Sequence, residues 1–160
     1  MQLVNGDIWS VYEETDLFCI TTNSTLKRTG DLVMGAGIAL QAAQRFPMLP
    51  GALGAAIRMN GCASRFYGLL VSPRWPTAKI AAFQTKIDWR KPSTTHFIAT
   101  SVDQLCAWLA DHPTARVDLP FPGIGHGGLT PAQVMPIIAR LSDNVHIWTN
   151  DEQEQHHATV

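Results

Sequence analysis

The sequence predicts an α/β sandwich in which helices pack around a mixed sheet. Short β-rich runs alternate with amphipathic helical patterns along the 160 residues, which is typical of one domain of this class. Apolar residues make up 46% of the chain and charged residues 16%, as in compact globular proteins. We expect a single domain over residues 1–150, followed by a polar tail over residues 151–160.

Runs of β-branched, aromatic or alternating apolar residues predict the strands. They cover residues 2–5, 17–22, 66–72, 79–85, 116–121 and 145–149. We expect the third and fourth runs to form a hairpin-like pair, because Pro73 and Pro76 mark a short connection between them. The polar segment 24–32 predicts an exposed loop.

Apolar periodicity and capping residues predict the helices. They cover residues 37–46, 50–60, 101–112 and the segment that follows Thr130. Ser101 and Gln104 fit a capping box for the third helix, and Thr130 and Gln133 fit one for the fourth. Pro136 lies inside the fourth helix and predicts a kink or a late start.

Charge and cysteine usage exclude several classes of protein. The formal net charge of −1 gives no overall basic field for nucleic acid or membrane, although it leaves room for a local basic patch. No apolar run reaches the roughly 18 residues of a membrane span. Cys19, Cys62 and Cys106 are far apart and lack metal-ligand spacing, so we expect reduced, buried thiols in a cytoplasmic protein. We also expect a monomer.

The first glycine-rich segment, residues 33–39, opens directly into the helix predicted at residues 37–46. Gly35 and Gly37 let the backbone approach a ligand closely. The unpaired N–H groups at a helix N-terminus attract anions such as phosphate. The pattern is also compatible with a tight turn that binds nothing.

The second glycine-rich segment, residues 123–128, formally matches the dinucleotide fingerprint G-x-G-x-x-G. A doubly wound nucleotide-binding fold needs more chain after this motif than one helix and one strand. The segment therefore indicates a phosphate-binding loop of another α/β architecture. The alternative is a glycine-rich connection that serves packing.

Three polar residues stand at predicted strand ends. The carboxylate of Asp7 can accept a hydrogen bond from the exocyclic amine of a base, or it can serve as a turn or cap residue. Asn23 can bind sugar hydroxyls or close the turn. Lys86 is a candidate nucleophile or proton-transfer group if it faces the cleft with reduced hydration, and a solvated charge otherwise.

Aromatic and basic residues add further candidates. Trp89 and Arg90 offer a stacking surface and a cation, and His126 offers a ring between glycines or a plain exposed side chain. Trp148 belongs to the core or flanks a base. A nucleophilic serine elbow, a Walker A motif and metal-ligand spacings are absent from the sequence, so we expect neither a metal nor a cofactor.

Together these segments resemble the macrodomains, a family of ADP-ribose-binding α/β/α modules. The resemblance lies in residues 4–8, Asn23, residues 34–41 and residues 119–129, which occur in the family's order. The Met-Gly-Ala-Gly-Ile-Ala segment that begins at Met34 and the segment Phe-Gln-Thr-Lys-x-x-Trp-Arg that begins at Phe83 are similar to one branch. That branch contains terminal ADP-ribose protein glycohydrolase and the antitoxin glycohydrolases that act on ADP-ribosylated DNA. The resemblance implies a three-layer sandwich with a mixed sheet of about six strands.

The resemblance implies how ADP-ribose, the only small ligand expected, would be bound. Asp7 and the backbone of Ile8 would bind the adenine, Asn23 would contact the distal ribose, and Trp148 would stand beside the ligand. The two glycine segments would hold the distal ribose and the diphosphate. Their residues are Gly35, Ala36, Gly37, Ile38, Gly123, Ile124, Gly125, His126, Gly127 and Gly128.

The resemblance also implies an activity. Lys86 matches the lysine that acts at the anomeric carbon or at its opened aldehyde form, with Asn23 in support and Trp89 and Arg90 on the acceptor side. The implied activity is an ADP-ribosyl glycohydrolase whose partner is an ADP-ribosylated macromolecule. The protein-directed enzyme has an aspartate in the second loop, whereas the DNA-directed antitoxins and this chain do not, which favours a nucleobase of DNA as the acceptor.

Other activities of the family fit the same residues. A non-catalytic ADP-ribose reader would use the same pocket, with Lys86 only as a charge at the rim. A phosphatase of ADP-ribose 1″-phosphate and a deacylase of O-acyl-ADP-ribose are further alternatives.

Overall fold

A six-stranded sheet lies at the centre of the computed structural model, which describes residues 1–59 and 65–150. The strands are β1 (Gln2–Asn5), β2 (Leu17–Thr22), β3 (Leu69–Val71), β4 (Ile80–Gln84), β5 (Val117–Pro120) and β6 (Val145–Thr149). Their order across the sheet is β1-β6-β5-β2-β4-β3. Every neighbouring pair is parallel except β3 and β4, which pair antiparallel as predicted. The predicted mixed sheet is confirmed.

Helices cover both faces of the sheet. They are α1 (Gly37–Arg45), α2 (Leu49–Met59), α3 (Thr95–Asp111) and α4 (Pro131–Ile138). Successive side chains of a strand point to opposite faces, so Phe18 of β2 packs with the α1 and α2 residues while Cys19 packs with those of α3 and α4. Each face has its own buried cluster. The three-layer α/β/α sandwich is therefore confirmed.

The start of α3 differs from the prediction. The helix begins at Thr95, and the side chain of Thr94 caps it by accepting a hydrogen bond from the Phe97 amide at 3.3 Å. Ser101 lies inside the helix and is buried, with Oγ 2.7 Å from the Gln84 carbonyl oxygen. The predicted capping box at Ser101 was wrong because the hydroxyl serves a contact with the sheet rather than a helix end.

The strand predicted at residues 66–72 is shorter than expected. Only Leu69–Val71 pairs with β4. The amide of Gly68 donates to the Gln84 side chain at 3.0 Å instead of to the strand ladder, and Gly68 adopts a φ of +72° that ends the extended run.

The predicted capping box of α4 is confirmed, with the Thr130 hydroxyl accepting from the Gln133 amide at 3.3 Å. The late start predicted from Pro136 was wrong, since the helix begins at Pro131 and continues through Pro136. In a helix this short, the proline removes only the one hydrogen bond that its missing N–H would make.

Three of the predictions concern residues that the structure does not describe. Cys62, Asn60 at the predicted end of the second helix, and the tail 151–160 lie outside the described residues.

Cys19 is buried and Cys106 is half-buried, and both are free thiols. Burial, and secondarily the charge of Asp118, raises the pKa of the Cys19 thiol. Within residues 1–59 and 65–150, no helix has the length and apolar character required to cross a bilayer.

Candidate functional site

A cleft of about 1410 Å³ opens along one edge of the sheet. Because β1, β6, β5, β2 and β4 are parallel, their carboxyl ends all meet at this edge, where open α/β sheets bind their ligands. The predicted site residues that line the cleft are Asp7, Ile8, Asn23, Gly35, Ala36, Gly37, Ile38, Lys86, Trp89, Gly123, Ile124, Gly125, His126, Gly127 and Trp148. Gly128 and Arg90 are not among its lining residues.

The strand order places these residues in a row. Asp7 follows β1 at one end of the cleft, and Lys86 follows β4 at the other, with β6, β5 and β2 between them. With strands spaced about 4.8 Å apart, the two ends are separated by roughly 19 Å. The second glycine loop follows β5 in the middle of this row. The cleft therefore suits an extended ligand with distinct groups along its length.

Both glycine loops leave backbone amides without side-chain caps. Side chains cap the turn at Ile8–Val11, α3 and α4, but Ala36 before α1 and Ile124 before the 3₁₀ turn at Gly125–Gly127 supply none. The first amides of such a turn have no partner within the helix. Both sets of amides lie beside the cleft, where they provide donors and partial positive charge for an anion.

The glycines of the two loops differ in backbone conformation and in the space available for a side chain. Gly125 has a φ of +64° and Gly37 a φ of +56°, a region that disfavours other residues. A Cβ added at Gly123 would lie 2.6 Å from the Ile98 side chain, so the loop packs closely on α3. Gly35 has open space where a Cβ would stand. The backbone at Gly35 is thus available to a ligand.

Lys86 is half-buried at the end of β4. Its ammonium group donates to the His126 carbonyl oxygen at 3.5 Å, across the cleft from its own strand. Desolvation by burial lowers the pKa of Lys86 below its ordinary value. At a given pH a larger fraction of Lys86 is therefore neutral than for an ordinary lysine, and the neutral amine is the nucleophilic and proton-accepting form.

Gln84 supports Lys86 from within β4, a role that the sequence analysis missed. The Gln84 side chain is fully buried. Its Nε2 donates to the Lys86 carbonyl oxygen at 3.2 Å and to Arg65 O at 2.9 Å, while its Oε1 accepts from the Gly68 amide at 3.0 Å. A polar residue inside an otherwise apolar strand was the available signal.

Asn23 is only 9% exposed and holds the first glycine loop in place. Its Nδ2 donates to the Val33 carbonyl oxygen at 3.0 Å, and its Oδ1 accepts from the Thr25 amide at 2.9 Å. Both ends of the carboxamide therefore form hydrogen bonds within the protein. This arrangement favours a positioning role for Asn23, with its remaining N–H available to the cleft.

Asp7 caps the first turn of the chain. Its Oδ1 accepts a hydrogen bond from the Trp9 amide at 3.0 Å, and its Oδ2 has no partner among residues 1–59 and 65–150. Asp7 therefore caps this turn, as one of the two interpretations predicts. Its second oxygen remains open to a ligand.

A wall of the cleft next to Asp7 was not predicted. The Trp9 indole donates to Gln41 Oε1 at 2.7 Å, and the Arg45 guanidinium lies 4.2 Å above the Trp9 ring. All three residues line the cleft. Gln41 and Arg45 lie four positions apart on α1, a spacing that was the available signal. Arg45 therefore adds a cation to the positive potential that the backbone amides supply.

Trp148 is mainly a core residue. It is 8% exposed, and its indole donates to Oδ1 of the fully buried Asp118 at 2.7 Å. Arg116 binds the same carboxylate at 2.9 Å. The network holds the Trp148 ring in place, so Trp148 is a core residue that also lines the cleft.

Trp89 and Arg90 have different positions at the mouth of the cleft. Trp89 lines the cleft and is 53% exposed. Arg90 points instead to Asp88, with Nη2 to Oδ2 at 2.8 Å and Nε to Oδ1 at 3.1 Å. These hydrogen bonds lower the pKa of Asp88 to about 2. The cation predicted on the acceptor side is therefore neutralised locally.

In the described part of the chain, no group of three His, Cys, Asp or Glu side chains is arranged to hold a metal ion.

Known structures resemble this chain, although no family model and no curated protein sequence matches it. The macrodomain of Mycobacterium tuberculosis DarG is similar with a TM-score of 0.69 and 27% identity, over 92% of this chain and 95% of that one. The macrodomain of Thermus aquaticus DarG is similar with a TM-score of 0.66 and 23% identity, over 94% of this chain and 97% of that one.

A third similar structure is Thermosipho africanus DarTG, solved in complex with ADP-ribose. Its TM-score is 0.70 at 19% identity, and the match covers 94% of this chain and 42% of that one. The three matches each extend over more than nine-tenths of this chain. The chain therefore has the macrodomain fold, and its resemblance lies with the branch that contains the DarG macrodomains.

Proposed function

We propose that the protein binds ADP-ribose in this cleft and hydrolyses the bond that joins ADP-ribose to a modified acceptor. The observation that carries the proposal is Lys86, a half-buried amine with a lowered pKa at one end of the cleft, beyond two loops of uncapped amides. A similar structure, Thermosipho africanus DarTG, was solved with ADP-ribose.

The row of groups along the sheet edge supports one orientation of the ligand. The adenine would lie at Asp7 and Trp9, where an open carboxylate oxygen and an aromatic wall are present. The diphosphate would accept hydrogen bonds from the amides of the two glycine loops in the middle. The distal ribose would then reach Asn23, and its anomeric carbon would stand beside Lys86.

Lys86 can carry out the cleavage as a nucleophile. In this proposal its neutral amine forms a bond to the anomeric carbon while the bond to the acceptor breaks, and the amine's proton passes to the leaving acceptor. Water then attacks the adduct, which releases ADP-ribose and restores the amine. The half-buried site favours the neutral amine that begins this sequence.

A nucleobase is the proposed acceptor. Trp89 stands at the Lys86 end of the cleft with a half-exposed indole ring, and such a ring stacks on any base. The second glycine loop has no carboxylate, which in the protein-directed relatives occupies that position. Together these features favour a base of DNA over a protein side chain.

One set of substrates separates the candidate functions. Free ADP-ribose is titrated by calorimetry, and wild type and Lys86→Ala are incubated with ADP-ribosylated DNA, ADP-ribosylated protein and ADP-ribose 1″-phosphate. We expect release of ADP-ribose from the DNA by wild type and at least about a 100-fold slower release by Lys86→Ala. The control variant Arg74→Ala, far from the cleft, should behave as wild type.

The other outcomes decide against parts of the proposal. Tight ADP-ribose binding without release from any substrate would indicate a reader. Release that survives Lys86→Ala would rule out the lysine mechanism. Absence of ADP-ribose binding would remove the proposed function altogether.

A further inference from the structure

We infer that the Asp7 end of the cleft holds a second anion subsite, in which Arg45 binds a phosphate group on the adenosine ribose of the ligand. The inference rests on the proposed function, because it extends the ligand proposed for this cleft. In ADP-ribose itself the negative charges lie on the diphosphate, and the adenosine is neutral. A cation at the adenosine end therefore suits an anion that ADP-ribose alone does not supply.

Charged side chains stand at the two ends of the cleft. Among the described residues that line it, the lysine and the arginine are Lys86 and Arg45, and the only acidic residue is Asp7. The Arg45 guanidinium lies over the ring of Trp9, and the Trp9 amide donates to Asp7 at 3.0 Å, which places this cation at the Asp7 end. The proposed cleavage uses Lys86 and leaves Arg45 without a role.

Helix α1 separates the Arg45 cation from the first glycine loop. The helix begins at Gly37, beside the uncapped amides, and Arg45 is its last residue. At the rise of an α-helix, these two backbone positions lie about 12 Å apart along the helix axis. The amides and the guanidinium can therefore hold two separate anionic groups of one extended ligand.

The Arg45 guanidinium keeps its charge and its donors available. Arg45 is exposed, and its guanidinium lies 4.2 Å from the centroid of the Trp9 ring. A guanidinium stacked on an aromatic ring retains N–H donors along its edge, in a fork that matches the oxygens of a phosphate. Arg45 forms no ion pair with any residue in the ranges 1–59 and 65–150. The side chain is thus held in place without being neutralised.

Two glutamines on the same helix add neutral donors. An indole N–H can only donate, so the 2.7 Å hydrogen bond from Trp9 holds the Gln41 carboxamide with Oε1 toward the indole and the NH2 group turned away. Gln44 directly precedes Arg45 and also lines the cleft. Gln41 and Arg45 lie one helical turn apart, so their side chains are neighbours that can donate to the same anion.

The position of this subsite favours a phosphate ester of the ribose. The open carboxylate oxygen of Asp7 would repel a phosphate beside the base, which leaves the α1 side of the cleft for the anion. The adenosine ribose lies between the base and the diphosphate, and its C2′ and C3′ hydroxyls are the two places where a phosphate can be attached. The proposed ligand class is therefore an ADP-ribose or adenosine nucleotide with a further 2′- or 3′-phosphate.

The test compares, by calorimetry, the affinities for ADP-ribose and for ADP-ribose 2′-phosphate. Their ratio is the readout, because it cancels any effect of a variant on the part that the two ligands share. We expect wild type to prefer the phosphorylated ligand at least about tenfold. Arg45→Met keeps an unbranched side chain beside Trp9 but removes the charge, so both ligands should bind with equal affinity. Arg74→Met, the charge-matched control at an exposed position outside the cleft, should keep the wild-type ratio.

Adenosine bisphosphates show which hydroxyl carries the phosphate. Adenosine 2′,5′-bisphosphate and adenosine 3′,5′-bisphosphate are titrated in the same way and compared with adenosine 5′-monophosphate. A gain in affinity with either bisphosphate that disappears in Arg45→Met supports the subsite and assigns the position of the phosphate.

Other results would overturn the inference. If wild type binds ADP-ribose but gains nothing from a phosphate at either position, the subsite is wrong and the proposed function is not. A preference that persists in Arg45→Met would assign the phosphate to other residues, and its loss in Arg74→Met as well would indicate a general charge effect. If wild type binds a bisphosphate in an Arg45-dependent way but does not bind ADP-ribose, the proposed function fails and the subsite does not.

Discussion

The ammonium group of Lys86 donates to the carbonyl oxygen of His126 at 3.5 Å, joining the end of β4 to the second glycine loop. The two residues are 40 positions apart in the chain. The contact aims the lysine across the cleft, toward the loop proposed to hold the diphosphate. In the proposed complex, the amine would stand beside the ribose that follows the diphosphate.

The lowered pKa of Lys86 predicts the pH dependence of hydrolysis. Burial disfavours the ammonium form, so a larger fraction of neutral amine is present at a given pH than for an ordinary lysine. We expect kcat/KM to rise with pH and to level off once the amine is deprotonated, with the midpoint of the rise below the ordinary lysine pKa of 10.5. A pH series with ADP-ribosylated DNA as substrate measures this. Lys86→Arg, which stays protonated throughout, should show no such rise, and an identical rise in that variant would assign the titration to another group.

Asp7→Asn separates the cap from the ligand contact. Asparagine caps a helical turn as well as aspartate does, so the variant should keep the bond to the Trp9 amide and the melting temperature of wild type. The open acceptor oxygen would be replaced by an amide NH2 group, which donates hydrogen bonds, and ADP-ribose should bind about tenfold more weakly. Calorimetry and thermal unfolding measure the two effects. Unchanged affinity in Asp7→Asn would leave Asp7 with the structural role alone.

Gly35→Ala and Gly54→Ala test opposite roles of glycine. Gly35 has open space for a Cβ, so Gly35→Ala should unfold at the wild-type temperature but bind ADP-ribose at least about tenfold more weakly, because the methyl group enters the cleft. At Gly54 a Cβ would overlap the Gly30 carbonyl oxygen. Gly54→Ala should therefore be destabilised by about 1–3 kcal/mol. Loss of stability in Gly35→Ala would show that its backbone conformation, not ligand access, requires glycine.

Gln84→Met tests the support beneath Lys86. Methionine has a similar size, but the Gly68 amide and the Lys86 carbonyl oxygen would lose their partners in a buried setting. We expect a loss of about 1–3 kcal/mol in unfolding free energy, measured in urea. We also expect kcat to fall more than the affinity for ADP-ribose, because the lysine backbone is displaced while the glycine loops are not. A proportional loss of both would mean that Gln84 serves folding only.

Much of the fold follows from local sequence. The β-rich run of β2, the glycine start of α1 and the Thr130 capping box of α4 each depend on neighbouring residues, so their positions were predictable. The start of α3 was not predictable in this way, because serine is a residue type that commonly caps helices. In the folded chain, the Ser101 hydroxyl instead donates to the Gln84 carbonyl oxygen of β4. A contact between distant segments leaves no local pattern.

The candidate site also combines features that local sequence predicts with features that depend on distant contacts. Backbone freedom and side-chain type are local properties, so the glycine loops, Asp7 and Lys86 could be predicted as site residues from the sequence alone. The tertiary structure supplied their order along the cleft, because the strand order β1-β6-β5-β2-β4 depends on long-range pairing. It also showed the wall of Trp9 and Arg45 and the pairing of Arg90 with Asp88, because each side chain's partner depends on the folded geometry.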